Sequence, residues 1–166
     1  MKIFLDTSVL LAGLIDFGKQ STDAQRVMAA IAERQLPDPG SAWHCCLEFY
    51  SVATRLPAEF RLKPADAARL MREEILGRLT IADLPPGERQ GLIESAARDD
   101  IGGGRIYDAH IAEIARAAGA GVIITDNRRH FLAALRHGLK VETPAEFLAD
   151  RARASRPAPA GKNQPG

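Results

Sequence analysis

Val122-Ile123-Ile124-Thr125-Asp126 is the strongest strand signal in the chain, because four consecutive β-branched residues come directly before an acidic side chain. Such a run is typical of a short strand that is buried on both faces of a sheet. Near the start of the chain, Ile3-Phe4-Leu5-Asp6 has a similar organisation, an apolar run that ends in an aspartate. We therefore predict two buried strands, each followed directly by a carboxylate.

Apolar residues at helical spacing separate these strands from weaker strand signals. The spacing predicts helices over residues 9–15, 22–31, 41–56, 64–75, 86–97, 105–118, 131–135 and 144–149. Thr22 or Asp23 is expected to cap the second of these helices, and Gly119 and Gly121 to end the sixth. Further strands are predicted just before the breaker-rich segment 36–40, and over 79–82 and 140–142. Short buried strands between helices predict an α/β fold, a three-layer α/β/α sandwich around a mostly parallel sheet.

The composition fits one globular domain with no overall attraction to nucleic acid. The 166 residues are 46% hydrophobic, and 22 basic residues nearly balance 21 acidic ones, for a net charge of +1. A local patch would therefore have to hold any RNA. After Asp150 the sequence is basic, rich in proline and alanine, and without large apolar side chains. We predict a domain over residues 1–150 and a disordered tail over 151–166.

The two cysteines indicate the cellular compartment of the protein. Cys45 and Cys46 are adjacent, and neighbouring side chains on a helix or strand point apart, so a disulfide between them is not expected. They are interpreted as reduced thiols of a cytoplasmic protein. No apolar stretch reaches the length of a membrane span.

Four acidic residues are candidates for one site. Asp6 and Asp126 follow the two clearest strands, and the ligand crevice of an open parallel sheet lies at the carboxyl ends of its strands. Glu48, at the edge of an apolar helical stripe, and Asp108, near the start of a helix, are candidates to join them. Each also has an ordinary interpretation: an N-cap for Asp6, a turn for Asp126, a helix-dipole partner for Asp108 and a surface position for Glu48.

Convergence of these carboxylates would have a chemical consequence. Their mutual repulsion would raise pKa values and destabilise the fold unless a cation neutralised them. Oxygen ligands favour Mg²⁺ or Mn²⁺ over Zn²⁺. Such a cation activates water and stabilises charge on a phosphodiester. If the four side chains converge, the sequence therefore indicates hydrolysis of phosphodiester bonds.

Short motifs around these acidic residues make the chain resemble the PIN domain, and in particular the VapC-type toxins of bacterial toxin-antitoxin pairs. The resemblance extends from Lys2 to about Asp150. The motifs are Phe4-Leu5-Asp6-Thr7-Ser8, Leu47-Glu48-Phe49, Gly104-Arg105-Ile106-Tyr107-Asp108-Ala109, Ile124-Thr125-Asp126-Asn127 with Phe131, and Thr143-Pro144-Ala145-Glu146-Phe147-Leu148.

The resemblance implies roles for these residues. It assigns catalysis to Asp6, Glu48, Asp108 and Asp126, and the binding of Mg²⁺ or Mn²⁺ to Asp6, Asp108 and Asp126. It also implies selective cleavage of RNA, a homodimer, and a small VapB-like antitoxin protein that inhibits the active site.

Other polar residues beside the acidic motifs are candidates for supporting roles. Some of these residues carry a hydroxyl or amide group that would orient the carboxylates or bind metal-bound water. They are Thr7, Ser8, Thr125 and Asn127. For Thr7 and Ser8, helix capping is an equally good interpretation. Three guanidinium groups are candidates to bind RNA phosphates, although an ordinary surface position is the alternative for each: Arg105, Arg128 and Arg129.

Other functions stay open from the sequence. An aspartate-nucleophile phosphotransferase also places an aspartate after its first strand, but it expects a second aspartate where Ser8 stands. A PIN-like module that binds RNA or protein without cutting is a further alternative, as is a solitary RNA-processing nuclease. A zinc site at His44, Cys45 and Cys46 is not favoured, because no second pair of ligands has suitable spacing.

Overall fold

Strand β1 (Lys2–Leu5) lies at the centre of the sheet in the computed structural model, which describes residues 1–131 and 138–155. Ile3, Phe4 and Leu5 are almost wholly buried, because helices cover both sides of this strand. The other strands are β2 (Pro39–Ala42), β3 (Thr80–Ala82), β4 (Ala120–Ile124) and β5 (Lys140–Glu142).

All five strands are parallel, in the order β3-β2-β1-β4-β5. Leu5 of β1 pairs with Ile124 of β4, so the carboxyl ends of the two strands lie side by side. The backbone N–H of Asp6 continues this pairing and donates to the Ile124 carbonyl at 3.0 Å. The two strands predicted first are confirmed, and they are neighbours.

Seven helices of the described residues pack on the two faces of the sheet. They are α1 (Thr7–Leu14), α2 (Thr22–Ala32), α3 (Trp43–Ala53), α4 (Pro64–Leu70), α5 (Arg89–Arg98), α6 (Arg105–Ala117) and α7 (Pro144–Ala154). From the central strand β1 the chain adds β2 and β3 on one side, and it then adds β4 and β5 on the other side of β1. Because crossovers between parallel strands are right-handed, this change of direction places the two sets of helices on opposite faces of the sheet. Accordingly, α1 packs on α2 and α3, while α6 packs on α5 and β4. The predicted α/β sandwich is confirmed.

One predicted strand was placed wrongly. The sequence indicated a strand before segment 36–40, but β2 starts inside that segment, at Pro39. Proline is tolerated as the first residue of a strand, and the small residues after it fit a crowded position beside β1. Ser41 is buried there and donates its hydroxyl to the Leu5 carbonyl at 2.7 Å. Because residues 39–42 contain no β-branched or aromatic side chain, nothing within them indicated where the strand lies.

Helix ends also differ from the predictions. Ser21 precedes α2, and neither Thr22 nor Asp23 caps this helix as expected. Gly119, with φ +73°, follows α6 as predicted, whereas Gly121 lies within β4.

The last helix continues past Asp150 to Ala154, so the first four residues of the predicted tail are helical. Its N-terminus carries a capping box between Thr143 and Glu146. The rest of the tail from residue 156, and most of the helix predicted over 131–135, lie outside the described residues. Among the residues that are described, no helix has the length and apolar character needed to cross a membrane.

Candidate active site

Asp6 is the carboxylate most firmly fixed by the fold. It follows β1 directly, and only 5% of its surface is exposed. The hydroxyls of Ser8 and Thr125 both donate to its Oδ2 atom at 2.8 Å. Burial raises the pKa of Asp6, hydrogen bonds from Thr125 and Ser8 act against this rise, and the charge of Glu48 adds to it. The neighbouring strands β1 and β4 thus hold one carboxyl group in a buried position.

Glu48 is joined to the start of α1 through Thr7. The Thr7 hydroxyl donates to Glu48 Oε2 at 2.5 Å, and Thr7 itself is buried. Glu48 lies on the exposed side of α3. Although Asp6 is the N-cap residue of α1, its side chain makes no capping bond. The hydroxyls of Thr7 and Ser8 therefore contact carboxylates.

Asp108 lies in the first turn of α6 and is partly buried. Its Oδ2 atom is 3.4 Å from Nδ1 of His130. Burial raises the pKa of Asp108, His130 opposes this rise, and the charges of Asp6 and Glu48 add to it. This mutual influence brings Asp6, Glu48 and Asp108 into one electrostatic group.

Asp126 follows β4 and is more exposed than the other aspartates of the quartet. Its backbone N–H donates to the Ser8 hydroxyl at 3.1 Å, which ties it to the same network. Partial burial raises the pKa of Asp126, and the charges of Asp6 and Asp23 add to the rise. Asp126 is therefore close enough to Asp6 and to Asp23 of α2 for both charges to affect its pKa.

A crevice of about 550 Å³ lies at the carboxyl ends of the strands. Asp6, Glu48 and Asp108 line it, together with Tyr107 and His130. Asp126 does not line this crevice and lies beside it. The structure thus brings three of the four predicted acidic residues to one cavity and places the fourth at its border.

The donor set has the chemistry of a site for a hard cation. Its atoms are carboxylate and hydroxyl oxygens, and the pKa values of three aspartates are raised, which a divalent cation would relieve. Within residues 1–131 and 138–155, no three acidic, histidine or cysteine side chains are grouped closely enough to hold a cation alone. Mg²⁺ commonly takes one or two carboxylates and completes its shell with water and substrate phosphate. The residues fit that mode of binding.

The cysteines offer no competing zinc site. Cys45 and Cys46 are free and buried in the core. Burial raises the pKa of the Cys45 thiol to about 12 and that of Cys46 to about 11. Both thiols therefore stay protonated, whereas a metal ligand must be a thiolate.

The supporting residues are distributed unevenly. Thr125 is buried, and besides its bond to Asp6 it accepts the backbone N–H of Asn127 at 3.0 Å. Asn127 and Arg105 line the crevice, and Arg105 donates to the Asp100 carbonyl at 2.9 Å. Arg128, in contrast, pairs with a carboxylate of α7, Glu146, at 2.6 Å.

Arg128 lines a different cavity, beside β5, and Arg129 is exposed and does not line the crevice. Of the three arginines proposed from sequence, the fold brings only Arg105 to the carboxylates.

Two features of the site were missed from sequence. His130, which the sequence does not single out, pairs with Asp108 in the crevice. Tyr107, directly before Asp108, stacks on His44 with ring centroids 5.2 Å apart. Only the position of each beside an acidic motif could have indicated these roles.

Comparison with known proteins gives a consistent family. The PIN domain family matches residues 2–129. Ribonuclease VapC27 of Mycobacterium tuberculosis is 35% identical over 124 residues, which cover 75% of this chain and 84% of that protein.

Solved structures share the fold. The crystal structure of Mycobacterium tuberculosis VapC20, described as a Sarcin-Ricin loop cleaving toxin, matches with a TM-score of 0.56 and 20% identity, over 73% of this chain and 86% of that one. VapBC2 from Rickettsia felis, bound to a DNA fragment from its promoter, matches with a TM-score of 0.60 and 16% identity, over 86% of this chain and 98% of that one. Since the family match covers most of the chain and a relative exceeds 30% identity, the chain belongs to the PIN domain family.

Proposed function

We propose that this protein is a Mg²⁺- or Mn²⁺-dependent endoribonuclease and the toxin of a VapBC-type toxin-antitoxin pair. One observation carries the proposal: the buried Asp6 carboxylate, held by Ser8 and Thr125, shares a crevice with Glu48 and Asp108. A protein bears the cost of burying such charges where the site has a use for them.

In this proposal Asp6, Asp108 and Asp126 contribute to binding the cation, whose shell water and substrate phosphate complete, and Glu48 completes the catalytic quartet. When bound, the cation supplies a nucleophilic water at neutral pH and stabilises negative charge on the phosphodiester. Ser8 and Thr125 fix the rotamer of Asp6, and Thr7 fixes Glu48, so the carboxylates are oriented before substrate arrives.

The remaining polar residues of the crevice bind the substrate or support the carboxylates. Arg105 lies at the border of the crevice, where its guanidinium is suited to an RNA phosphate. Asn127 donates its backbone N–H to Thr125 and so supports the hydroxyl that holds Asp6. His130 balances part of the charge of Asp108. We place catalysis in a domain over residues 1–150 and none of it in the tail.

The relatives support the biological part of the proposal. VapC27 is described as a ribonuclease, and VapC20 as a Sarcin-Ricin loop cleaving toxin. VapBC2 was solved bound to a DNA fragment from its promoter. By analogy we expect a VapB-like antitoxin that covers the crevice, and a homodimer. Two free buried thiols fit the reducing cytoplasm.

The direct test is cleavage of bacterial total RNA by purified protein, with Mn²⁺ or with a chelator. We expect cleavage only with the cation. Asp6→Asn should lower the rate on the order of 100-fold or more, since loss of groups that merely orient a metal ligand costs 10- to 100-fold. Asp38→Asn is the matched control, because Asp38 is exposed and directly precedes β2. It therefore lies at the amino ends of the strands, whereas the crevice lies at their carboxyl ends.

The results separate the alternatives. RNA binding without cleavage would favour a non-catalytic PIN-like module. Cleavage without growth arrest, when the chain is expressed in bacteria, would favour a solitary RNA-processing nuclease. Growth arrest that Asp6→Asn abolishes, and that a co-expressed antitoxin relieves, supports the toxin.

A further inference from the structure

Three aromatic rings form a cluster between α3 and α6 at the wall of the crevice. The ring of His44 stacks on Tyr107 with an angle of 22° between the planes. His110 and His44 form an edge-to-face pair, with centroids 5.7 Å apart and an angle of 76° between the planes. His44 is thus held between two rings of α6, and it supports Tyr107 in turn.

Tyr107 remains 56% exposed in spite of this stacking. It precedes Asp108 in α6 and lines the crevice, while His44 lies one helical turn before Glu48 on α3. The ring pair therefore adjoins two of the carboxylates. A large aromatic side chain kept exposed at this position contributes little to the core.

The negative charge of the crevice makes an uncharged aromatic ring useful for binding RNA. The carboxylates repel the phosphates of RNA unless a cation intervenes, and the net charge of +1 adds no general attraction. Stacking of a base on an aromatic ring does not depend on charge, and it contributes about 1–3 kcal/mol per base. An uncharged ring next to Asp108 is therefore a suitable source of affinity for a nucleotide.

We propose that Tyr107, supported by His44, is a base-stacking subsite that binds an unpaired base of RNA next to the carboxylates. The inference rests on the proposed ribonuclease function. It defines the substrate further, because a base paired within a helix cannot present its face to the ring. RNA must then be single-stranded at the nucleotide that occupies this subsite.

Other exposed apolar residues of α3 have a different position. Trp43, Leu47 and Tyr50 follow one another at spacings of four and three residues and lie on one exposed side of the helix. None of them lines the crevice. Such a stripe is suited to a protein partner, whereas the Tyr107 ring borders the cavity where RNA would be cut.

The test measures binding of RNA to proteins that carry Asp6→Asn, so that cleavage does not interfere. The probes are four short single-stranded RNAs in which 2-aminopurine is flanked by A, C, G or U, in the presence of Mg²⁺. The proteins compared are Tyr107→Ala, Tyr107→Phe and Tyr50→Ala, where Tyr50→Ala removes an exposed aromatic residue outside the crevice.

We expect Tyr107→Ala to bind at least one probe about 5- to 150-fold more weakly than the parent, and to lose the quenching that stacking causes. Tyr107→Phe and Tyr50→Ala should keep the affinity and quenching of the parent. Pairing the probe with its complement should remove the advantage of the tyrosine. Circular dichroism of each variant checks the fold.

The outcomes also separate this inference from the proposed function. If Tyr107→Ala equals the parent in affinity and quenching on every probe, the subsite is wrong, even where protein with Asp6 intact cleaves RNA. If Tyr107→Ala changes only the oligomeric mass measured by light scattering, the ring serves a protein contact and the inference is again overturned. Quenching that depends on Tyr107, in a protein that never cleaves RNA, would support the subsite and refute the nuclease.

Discussion

Thr125→Val removes the hydroxyl that links β4 to the Asp6 carboxylate. Thr125 is fully buried, its Oγ1 is 2.8 Å from Asp6 Oδ2, and valine keeps a β-branched shape at the end of the strand. A hydrogen bond to a charged group contributes about 1.5–3 kcal/mol. We expect the free energy of unfolding of metal-free protein to fall by about that amount at neutral pH. For a domain of this size the melting temperature should fall by roughly 3–12 °C.

Urea unfolding followed by circular dichroism, with a chelator present, measures this loss. The same substitution should also be made in protein that carries Asp6→Asn, where the hydroxyl meets a neutral amide. A bond between neutral groups contributes only about 0.5–1.5 kcal/mol, so the loss should be smaller by roughly 1 kcal/mol. The backbone N–H of Asn127 loses the Thr125 oxygen in both backgrounds, so its contribution cancels.

Thr54→Val is the matched control, because Thr54 directly follows α3 and its hydroxyl donates to the Tyr50 carbonyl of that helix. It should change the unfolding free energy by no more than about 0.5 kcal/mol. An equal loss for Thr125→Val with and without the Asp6 charge would refute the view that Thr125 acts by stabilising this carboxylate.

Two further predictions concern pH and substrate binding. Folding raises the pKa of Asp6, so the stability that its protonated form contributes is complete below about pH 4 and is lost as pH rises through the folded pKa. In metal-free protein, the melting temperature of Asp6→Asn minus that of wild type should therefore increase as pH rises. Mg²⁺ should reduce this difference. A difference that does not depend on pH would contradict the argument that burial raises the pKa of Asp6. Arg105→Ala should lower kcat/KM for RNA about tenfold and reduce its salt dependence, whereas Arg128→Ala, which removes only the pair with Glu146, should leave both unchanged. Equal effects of the two arginines on kcat/KM would show that Arg105 has no special role.

The fold was predictable where apolar runs were long enough to be recognised. Strands β1 and β4 each end in three large apolar residues and are followed by an aspartate, which is the pattern of strands buried on both faces of a parallel sheet. That these two strands are neighbours was not predicted. β2 escaped prediction because Pro39 to Ala42 are small or lack strand propensity, and its position depends on what packs beside it. Packing against neighbouring strands and helices cannot be predicted from the residues of β2 alone.

The site was predictable to a different extent for each residue. Asp6 could be placed at the crevice from strand physics alone, whereas Glu48 and Asp108 depended on the resemblance to a family. The strand argument also put Asp126 in the crevice, but Asp126 does not line it, and the charge of Asp23 affects its pKa. The pairing of His130 with Asp108 joins segments 22 residues apart, and no local pattern predicts such a contact.

Binding of Mn²⁺, measured by electron paramagnetic resonance on purified protein, tests most directly whether the acidic crevice is a metal site. Wild type and Asp38→Asn should each remove free Mn²⁺ from solution with the same affinity, and Asp6→Asn should bind it at least about tenfold more weakly. Equal binding of Mn²⁺ by wild type and Asp6→Asn, or no binding by wild type, would contradict the proposal that these carboxylates hold the catalytic cation.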